Sequence, residues 1–231
     1  MRASRLLSVL AFAVLLAPAA AGAQDSRPGI AVLPFTNGGS YGLAKEDLDA
    51  LQVGVQELLI TELAQNPALR VVDRSRIREI VAEIDLGASG RVDAQTAARV
   101  GRLVGARYVV TGVFVDLNGD FRMDARIVDG ETSEIVKSQQ VRGERDDLFD
   151  LLVDLSTRIT QDVNLPPLPA DVQEARKEQE IPAEAITLFS RAQVYADAGR
   201  TEQAIQLYER IAQRFPEMAQ AKEALRQLRG S

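Results

Sequence analysis

The stretch GARYVVTGVFVDLNGDFRMDARIVDGETSEIV, residues 105–136, decides the fold that the sequence predicts. It holds two β-like runs joined by Asn118-Gly119, a dipeptide typical of two-residue hairpin turns, and then begins a third run. This turn sets the register, and the pairs expected on one apolar face are Val110 with Ile127, Gly112 with Ala125 and Phe114 with Met123. The pairs expected on the opposite face are Thr111 with Arg126, Val113 with Asp124 and Val115 with Arg122. The sequence therefore predicts a sheet that covers helices with one face and leaves the other open to solvent or a partner.

Apolar periodicity extends this prediction over the rest of an α/β domain. Spacings of three and four residues predict helices, and continuous or alternating apolar runs predict strands. The predicted elements are strands at 30–35, 69–72 and 134–141, helices at 43–65 and 146–162, and two helices capped by Asp73 and Asp93, the second ending at Gly105. The order βαβααβββα predicts a mixed α+β sandwich, in which early parallel strands precede an antiparallel meander.

A proline-rich segment, residues 165–169, ends this domain. The predicted organisation is a domain at 24–163, a charged linker at 164–181 and a small all-α helical hairpin at 182–231. The hairpin resembles the tetratricopeptide repeat at Ala192, Tyr195, Gly199, Ala204, Tyr208 and Pro216. Because a stable stack usually needs about three repeats, this single unit is expected to pack on the first domain, a second subunit or a partner. A plain helical hairpin is the alternative interpretation.

The first 23 residues are predicted to be a secretory signal peptide. Two arginines precede an apolar run that is too short to span a bilayer, and Ala21-Gly22-Ala23 fits a cleavage site. Cleavage before Gln24 leaves 208 of 231 residues and moves the formal charge from −6 to −8, because Arg2 and Arg5 are removed. This pattern predicts export to the periplasm, with an uncleaved membrane anchor as the alternative.

The composition argues against most catalytic chemistry. The sequence contains neither His nor Cys, which excludes Ser-His-Asp triads, thiol nucleophiles, iron–sulfur clusters, disulfides and ordinary zinc sites. Its acidic charge repels phosphate backbones and so argues against nucleic acid as a partner. The sequence therefore predicts a chain that is not an enzyme and holds no cofactor.

Three motifs have alternative interpretations. The glycine-rich segment 37–42 follows a strand and precedes a helix, but it lacks the spacing of a nucleotide-binding loop and is interpreted as a flexible loop. The segment 116–120 imitates half of a calcium loop, but it lacks the glycine and glutamate that such a loop needs. Arg74, Arg76 and Arg78 spread around a helix and are interpreted mainly as a solvated face.

Four segments together resemble the periplasmic domain of the CsgG-type curli assembly and transport family. They are IAVLPF (30–35), RVVDRSRIREIVAEIDLGASG (70–90), ARVGRLVGARYVVTGVF (98–114) and MDARIVDGETSEIV (123–136). The domain is also similar to the outer-membrane activators of penicillin-binding proteins and to the first domain of TolB-like proteins. The resemblance covers about residues 30–162 and brings no catalytic residues.

The resemblance implies a non-enzymatic periplasmic protein that acts by protein–protein interaction in envelope assembly or secretion. This chain lacks the anchor cysteine and the long membrane hairpins of channel-forming members, which argues against a pore. The alternatives are a subunit of an outer-membrane-associated ring or channel, an activator of a peptidoglycan synthase, and a nucleotide-binding enzyme.

The expected partners are periplasmic or outer-membrane proteins, with peptide segments in the repeat groove and a second copy of the chain as further candidates. Any contact with the membrane is expected to be peripheral. The expected contact surfaces are the polar face of the meander, the loop 36–42 and the repeat groove, where binding is expected to be weak unless subunits oligomerise. The residues assigned to these surfaces are Arg122, Asp124, Arg126, Tyr195 and Tyr208.

Overall fold

The chain folds into a six-stranded mixed sheet with helices on both faces and an all-helical C-terminal part. The computed structural model describes residues 25–84 and 92–230. The predicted signal peptide and the loop predicted at 87–91 lie outside the described residues. The strands are β1 (Gly29–Val32), β2 (Thr36–Asn37), β3 (Arg70–Val71), β4 (Tyr108–Leu117), β5 (Asp120–Asp129) and β6 (Ile135–Glu144). The helices are α1 (Lys45–Ala64), α2 (Arg74–Glu83), α3 (Ala94–Val104), α4 (Leu148–Asp162), α5 (Ala170–Lys177), α6 (Ala183–Asp197), α7 (Thr201–Arg214) and α8 (Ala219–Gly230).

The sheet has the order β3-β1-β4-β5-β6 and combines parallel and antiparallel pairing. β1 pairs in parallel with β3 and β4, whereas β4, β5 and β6 form an antiparallel meander. The observed register contains all six cross-strand pairs that the Asn118-Gly119 turn predicts. Both turn residues have positive φ, 55° and 100°, which is the conformation that a two-residue hairpin of this kind requires. The predicted fold class and the register of this hairpin are confirmed.

Three elements differ from the predicted pattern. Thr36 and Asn37, predicted as loop, form the short strand β2, which continues β1 along β4 after an interruption at Pro34. Proline has no N–H for a sheet ladder, which explains the break. β6 ends at Glu144 and not at residue 141. The segment predicted as a linker, 164–181, includes the helix α5.

Capping side chains fix the ends of the two short helices. The Asp73 carboxylate accepts from the backbone N–H of Ser75, and the Asp93 carboxylate accepts from that of Thr96. Gly105 ends α3 in the left-handed conformation at φ 69°, as its position in the sequence predicts. Together these caps set the direction in which the chain enters β4.

Two hydrophobic clusters lie on opposite faces of the sheet. The inner face of the sheet packs against α1 and α4, and this cluster continues without a break into α6, α7 and α8. The outer cluster joins α2 and α3 to residues in or next to β1, β4 and β5, including Ala31, Leu33, Val109 and Val128. Helix α1 therefore lies between the sheet and α6. The C-terminal helices share their core with the α/β part. The first domain is one of the three alternatives, beside a second subunit and a partner, on which the single repeat-like hairpin was expected to pack.

Candidate functional site

The outer face of the meander is only partly covered by helices. The outer cluster covers the part of the sheet near Val109 and Val128. The rest forms a surface that we call the open face, whose residues are Thr111, Val113, Val115, Arg122, Asp124, Arg126, Ser138, Gln140 and Arg142. A shallow groove of about 620 Å³ crosses it. This face is one of the two surfaces on which the assigned contact residues lie.

Charged side chains on the open face are held by partners on the same strand and on the neighbouring strand. Arg122 Nε lies 2.8 Å from Asp124 Oδ2, and Gln140 Nε2 donates to Asp124 Oδ1 at 2.8 Å. Burial raises the pKa of Asp124, but the hydrogen bonds from Arg122 and Gln140 outweigh it and leave the pKa below its ordinary value. Arg126 is exposed on the same face and adds positive charge near Asp124. The predicted contact residues Arg122, Asp124 and Arg126 are thus adjacent and accessible.

The strand β2 and the loop that follows it lie along β4, at one edge of the open face. Asn37 Oδ1 accepts from the backbone N–H groups of Gly39 and Ser40, at 3.1 and 2.9 Å. Ser40 Oγ in turn accepts from the N–H of Asp116 at 2.8 Å. These amides bond to the loop's own side chain, so they are not directed at a phosphate. The loop is therefore a structural brace for the β4–β5 hairpin.

A buried carboxylate fixes the tip of that hairpin. Asp116 has no exposed side-chain surface; its Oδ1 accepts from the Gly119 N–H and its Oδ2 lies 2.8 Å from Arg145 Nη1. Asp116 is the first residue of the segment 116–120, which imitates half of a calcium loop. Both of its carboxylate oxygens are thus bonded to protein donors. Within the described ranges, no three carboxylates are grouped closely enough to hold a metal ion.

The second surface is a groove between the helical module and the α/β part, which we call the composite groove. It has a volume of about 700 Å³. Its lining residues come from α1, α2, α6, α7 and α8, together with Arg176 and Gln179. The groove therefore exists only because α6 packs on α1.

An arginine network holds these elements together. Arg74 Nε lies 2.8 Å from Glu57 Oε2, its Nη1 lies 2.5 Å from Asp197 Oδ2, and its Nη2 donates to Gln193 Oε1 at 2.8 Å. Arg78 also pairs with Asp197. Burial lowers the pKa of Arg74, but Asp197 and then Glu57 outweigh it and leave the pKa raised. Burial raises the pKa of Glu57 more than its pairing with Arg74 lowers it, and the negative charges of Asp73 and Asp197 add to the rise.

The arginines of α2 are the main residues that the sequence interpretation missed. They were interpreted mainly as solvated, and this is wrong for Arg74, whose side chain is only 14% exposed. Its partners Gln193 and Asp197 are more than one hundred residues away, so no local pattern reveals them. Arg76 fits the interpretation, since it is exposed and pairs with Glu79 on the same helix.

The two tyrosines assigned to the repeat groove lie in different places. Tyr208 is 1% exposed at the floor of the composite groove, where its ring centroid lies 5.8 Å from that of Phe189. Its role as a contact residue needs correction, because burial in the core removes the side chain from a partner's reach. Tyr195 lies outside the groove lining, with the Arg200 guanidinium 5.2 Å from its ring centroid.

A second ion pair attaches the segment that was predicted as a linker. Arg176 of α5 donates from Nε to Glu62 Oε2 at 2.8 Å, and the Glu62 side chain is 1% exposed. The Asn66 side chain also donates to the carbonyl of Pro166 at 2.9 Å. These contacts hold α5 against α1, next to the end of the composite groove. The domain limits 24–163 and 182–231 stay a prediction.

Comparison with known proteins supports the family resemblance. Residues 12–122 match the profile of the family described as "Curli production assembly/transport component CsgG". The match begins before the first described residue and ends within β5, so it is shorter at its C-terminal end than the resemblance seen in the sequence. It confirms the CsgG-type resemblance for this part of the chain. No curated protein gives a significant match.

The solved structures to which this chain is similar have low sequence identity to it. TolB from Acinetobacter baumannii is 17% identical, with a TM-score of 0.43, and covers 62% of this chain but only 30% of its own. The LpoB C-terminal domain from Escherichia coli is 18% identical with a TM-score of 0.40, covering 51% of this chain and 83% of its own. The PelC dodecamer from Paraburkholderia phytofirmans is 14% identical with a TM-score of 0.34, covering 61% of this chain and 90% of its own. The chain thus spans less than a third of the TolB chain.

Helix length and polarity complete the description of the surfaces. In the two described ranges, 25–84 and 92–230, no helix combines the length and the apolar character needed to cross a bilayer.

Proposed function

We propose that this chain is a non-enzymatic interaction protein of the cell envelope, which serves an assembly or secretion apparatus from the periplasm. The single observation that carries this proposal is the match of residues 12–122 to the curli assembly and transport family. The absence of His and Cys from the sequence agrees with it, because the usual bases, thiols and metal ligands are missing.

The open face is proposed as the main contact surface. It is a sheet face with accessible Arg122 and Arg126, on which Asp124 pairs with Arg122 and accepts a hydrogen bond from Gln140. Preorganised charges of this kind favour electrostatic steering and orientation of a partner more than raw affinity. We therefore expect a salt-sensitive association that charge reversal on this face weakens.

Site-specific photo-crosslinking in envelope extracts tests this proposal. A benzophenone amino acid replaces Arg126 on the open face or, as a control, the exposed Gln206 on α7. We expect crosslinks to an envelope protein at position 126 and none at 206. The crosslinks should be prevented by excess unlabelled wild type, but not by the Arg122→Glu/Arg126→Glu variant.

The outcomes separate the possible partners. A product with twice the mass of the chain identifies a second copy as the partner. Recovery of the chain only as an uncrosslinked monomer, in extracts of the cells that produce it, would contradict the proposal. A thermal shift with millimolar nucleotide would instead favour the enzyme alternative.

A further inference from the structure

The strand β6 lies at one end of the sheet. In the order β3-β1-β4-β5-β6 it pairs with β5 on one side, and within the described residues no strand pairs with its other side. Seven of its ten residues are exposed, among them Ile135 at 47% and Val136 at 39%. The strand at the opposite end, β3, has only two residues. The long exposed edge of this sheet is therefore that of β6.

The hydrogen bonds of β4 show which backbone groups point to this edge. The N–H groups of Gly38 and Tyr41 donate to the carbonyls of Phe114 and Asp116, so these two residues of β4 face β2 and the loop after it. Successive residues of a strand direct their N–H and C=O groups to opposite sides. Val115, which lies between them, therefore bonds to β5.

The register carries this alternation across β5 to β6. Arg122 lies opposite Val115 and bonds to β4, so the next residue, Met123, bonds to its partner Val141 on β6. The residues of β6 that alternate with Val141 direct their N–H and C=O groups away from β5. These outward-facing residues are Ser138, Gln140 and Arg142.

The outward-facing backbone groups are open to another strand. Proteins that guard a sheet edge place a proline, a bulge, a lysine or a covering element on it. The register shift and Lys137, which are features of this kind, lie near the start of β6, whereas the segment 138–144 has neither a bulge nor a proline. Arg142 donates from Nε to Asp120 Oδ1 at 2.9 Å, so its side chain turns across the sheet and does not cover the edge. A row of unpaired N–H and C=O groups is a template for strand addition.

The charges beside this edge are not balanced. Lys137 is exposed and has no ion pair within the described ranges, and the same is true of Arg126, which lies opposite Ser138 on β5. The other two arginines of the open face pair with neighbouring aspartates. The exposed carboxylate of Glu144 lies at the far end of the strand. An added strand with acidic side chains near positions 137 and 138 is therefore electrostatically matched to this edge.

A second copy of the chain does not supply this match. In an antiparallel pair of β6 strands the outward-facing residues must lie opposite one another, which restricts the residues of the copy that can face Lys137. None of them is acidic: they are Ile135, Lys137, Gln139, Val141 and Gly143. The copy would also bring its own lysine and arginine to the edge, so it would add positive charge where negative charge is required.

We propose that the edge of β6 binds an extended, acidic segment of a partner protein as an added strand of the sheet. This inference rests on the proposed function, and it names the mode of recognition and the chemistry of the partner segment. Main-chain hydrogen bonds to the outward-facing residues supply affinity, and Arg126 and Lys137 select for carboxylates. Ser138 and Gln140 belong to both the open face and the edge, so a partner that lies across the open face reaches the edge as well.

Amide hydrogen exchange, followed by NMR on residues 24–231, tests the geometry of the edge. In the free protein we expect slow exchange at Val141 and Gly143, whose N–H groups bond to β5. Exchange at Gln140 and Arg142 should be at least about tenfold faster, because their N–H groups face solvent. Equally slow exchange at all four positions would show that the edge is already covered, which would overturn the proposal.

Three nine-residue peptides with acetyl and carboxamide ends serve as probes. The first alternates glutamate with valine and threonine, and the second has lysine in place of glutamate. The third is the first peptide with N-methyl groups on three consecutive central residues, which block both of its edges.

The glutamate peptide is expected to protect the outward-facing amides. At about 2 mM it should slow exchange at Gln140 and Arg142 at least about fivefold, which corresponds to a Kd of about 0.5 mM or less. The lysine peptide and the N-methylated peptide should bind at least about tenfold more weakly. No protection by the glutamate peptide at about 2 mM, or equal protection by either of the other two, would overturn the proposal.

A matched pair of substitutions removes one donor from the edge. Gln140→Pro deletes an N–H group that does not bond to β5, and proline is tolerated at such positions of an edge strand. Gln140→Thr removes the same side chain but keeps the N–H group. By anisotropy of a labelled glutamate peptide, we expect Gln140→Pro to weaken binding at least about tenfold and Gln140→Thr less than about twofold.

A charge reversal gives a second reading in case Gln140→Pro does not fold, which its melting temperature shows. Lys137→Glu changes an exposed side chain. It should weaken binding of the glutamate peptide at least about threefold and strengthen binding of the lysine peptide. Unchanged affinity for the glutamate peptide in every folded edge variant contradicts the inference.

Sedimentation of the free protein tests the alternative occupant. We expect a monomer at the concentration used for NMR. A dimer in which the amides of Gln140 and Arg142 are protected without any peptide would identify a second copy as the occupant, and it would contradict the acidic segment.

Crosslinking from position 126 in envelope extracts tests the proposed function separately. Protection of the edge by the glutamate peptide without any crosslink would remove the contact proposed for the open face and leave the edge assignment standing. Crosslinks without protection of the edge would have the reverse meaning.

Discussion

The two faces of the β4–β5 hairpin differ in burial although their residues alternate along the same strands. On the inner face, Phe114, Phe121 and Met123 have no exposed surface and lie under α1 and α4. On the outer face, the side chains of Arg122 and Asp124 are 49% and 40% exposed. A shift of one residue in register would exchange these two environments. The comparison teaches that the buried rings lie on one face of the hairpin and the proposed contact residues on the other, so substitutions can test the two faces separately.

The largest effect is expected from removing an inner-face ring. Phe121 stacks on Phe114 with ring centroids 5.5 Å apart, and it is completely buried. Phe121→Ala should lower the free energy of unfolding by about 3–5 kcal/mol through lost burial and a cavity. Urea unfolding measures this loss, with Leu117→Ala, an exposed position on the same hairpin, as the control. A loss below about 1 kcal/mol in Phe121→Ala would contradict the assignment of the inner face.

The next effect concerns the hairpin tip, where the inner face meets solvent. Asp116→Ala leaves the Arg145 guanidinium and the Gly119 N–H without their carboxylate. Breaking a buried ion pair from one side costs about 3 kcal/mol or more, which is the loss expected in urea unfolding. Asp120→Ala is the matched control, because its pair with Arg142 is exposed and should contribute little. Equal losses in the two variants would refute a special role for the buried carboxylate.

Local signals account for most of the fold that was predicted from the sequence. The Asn118-Gly119 turn fixed the register, and the aspartate caps and Gly105 fixed the helix ends, because each of these effects acts within a few residues. The strand β2 was missed because two residues are too few to show a period. The helix α5 was missed because its segment has no apolar stripe.

The candidate sites divide in the same way. Arg122, Asp124 and Arg126 were placed on the open face by alternation alone, and the structure puts them together there. The sequence predicted a repeat groove but not the composite groove. The helices α1, α2, α6 and α8 meet there only through long-range packing. Tyr208 was assigned to a surface because a repeat pattern identifies small and aromatic positions. The pattern does not distinguish the floor of the repeat groove from its rim.

The third effect concerns the contact between α1, which covers the inner face, and α6, which packs on α1. A Cβ at Gly54 of α1 would overlap the Ser190 side chain of α6, so the close approach of these helices requires glycine. Gly54→Val should lower the free energy of unfolding by about 2 kcal/mol through overpacking. It should also expose the segment 164–181 to limited proteolysis, because α6 is displaced from α1. Adding Ser190→Gly should restore part of the stability, and additive losses in the double variant would show that the two positions are not in contact.

The smallest effect is expected on the outer face, and it depends on pH. Asp124 is held by Arg122 and Gln140, and its pKa lies below the ordinary value of 3.8. Its ionised form therefore adds stability above about pH 4, and this contribution disappears as the pH falls through the lowered pKa. Because both side chains of the ion pair are substantially exposed, solvent screening limits the loss in Asp124→Ala to about 0.5 kcal/mol at pH 7. The difference in unfolding free energy between wild type and variant should shrink from pH 7 to pH 3. A difference above about 1 kcal/mol, or one that grows in acid, would mean that the outer face supports the fold and is not reserved for contact.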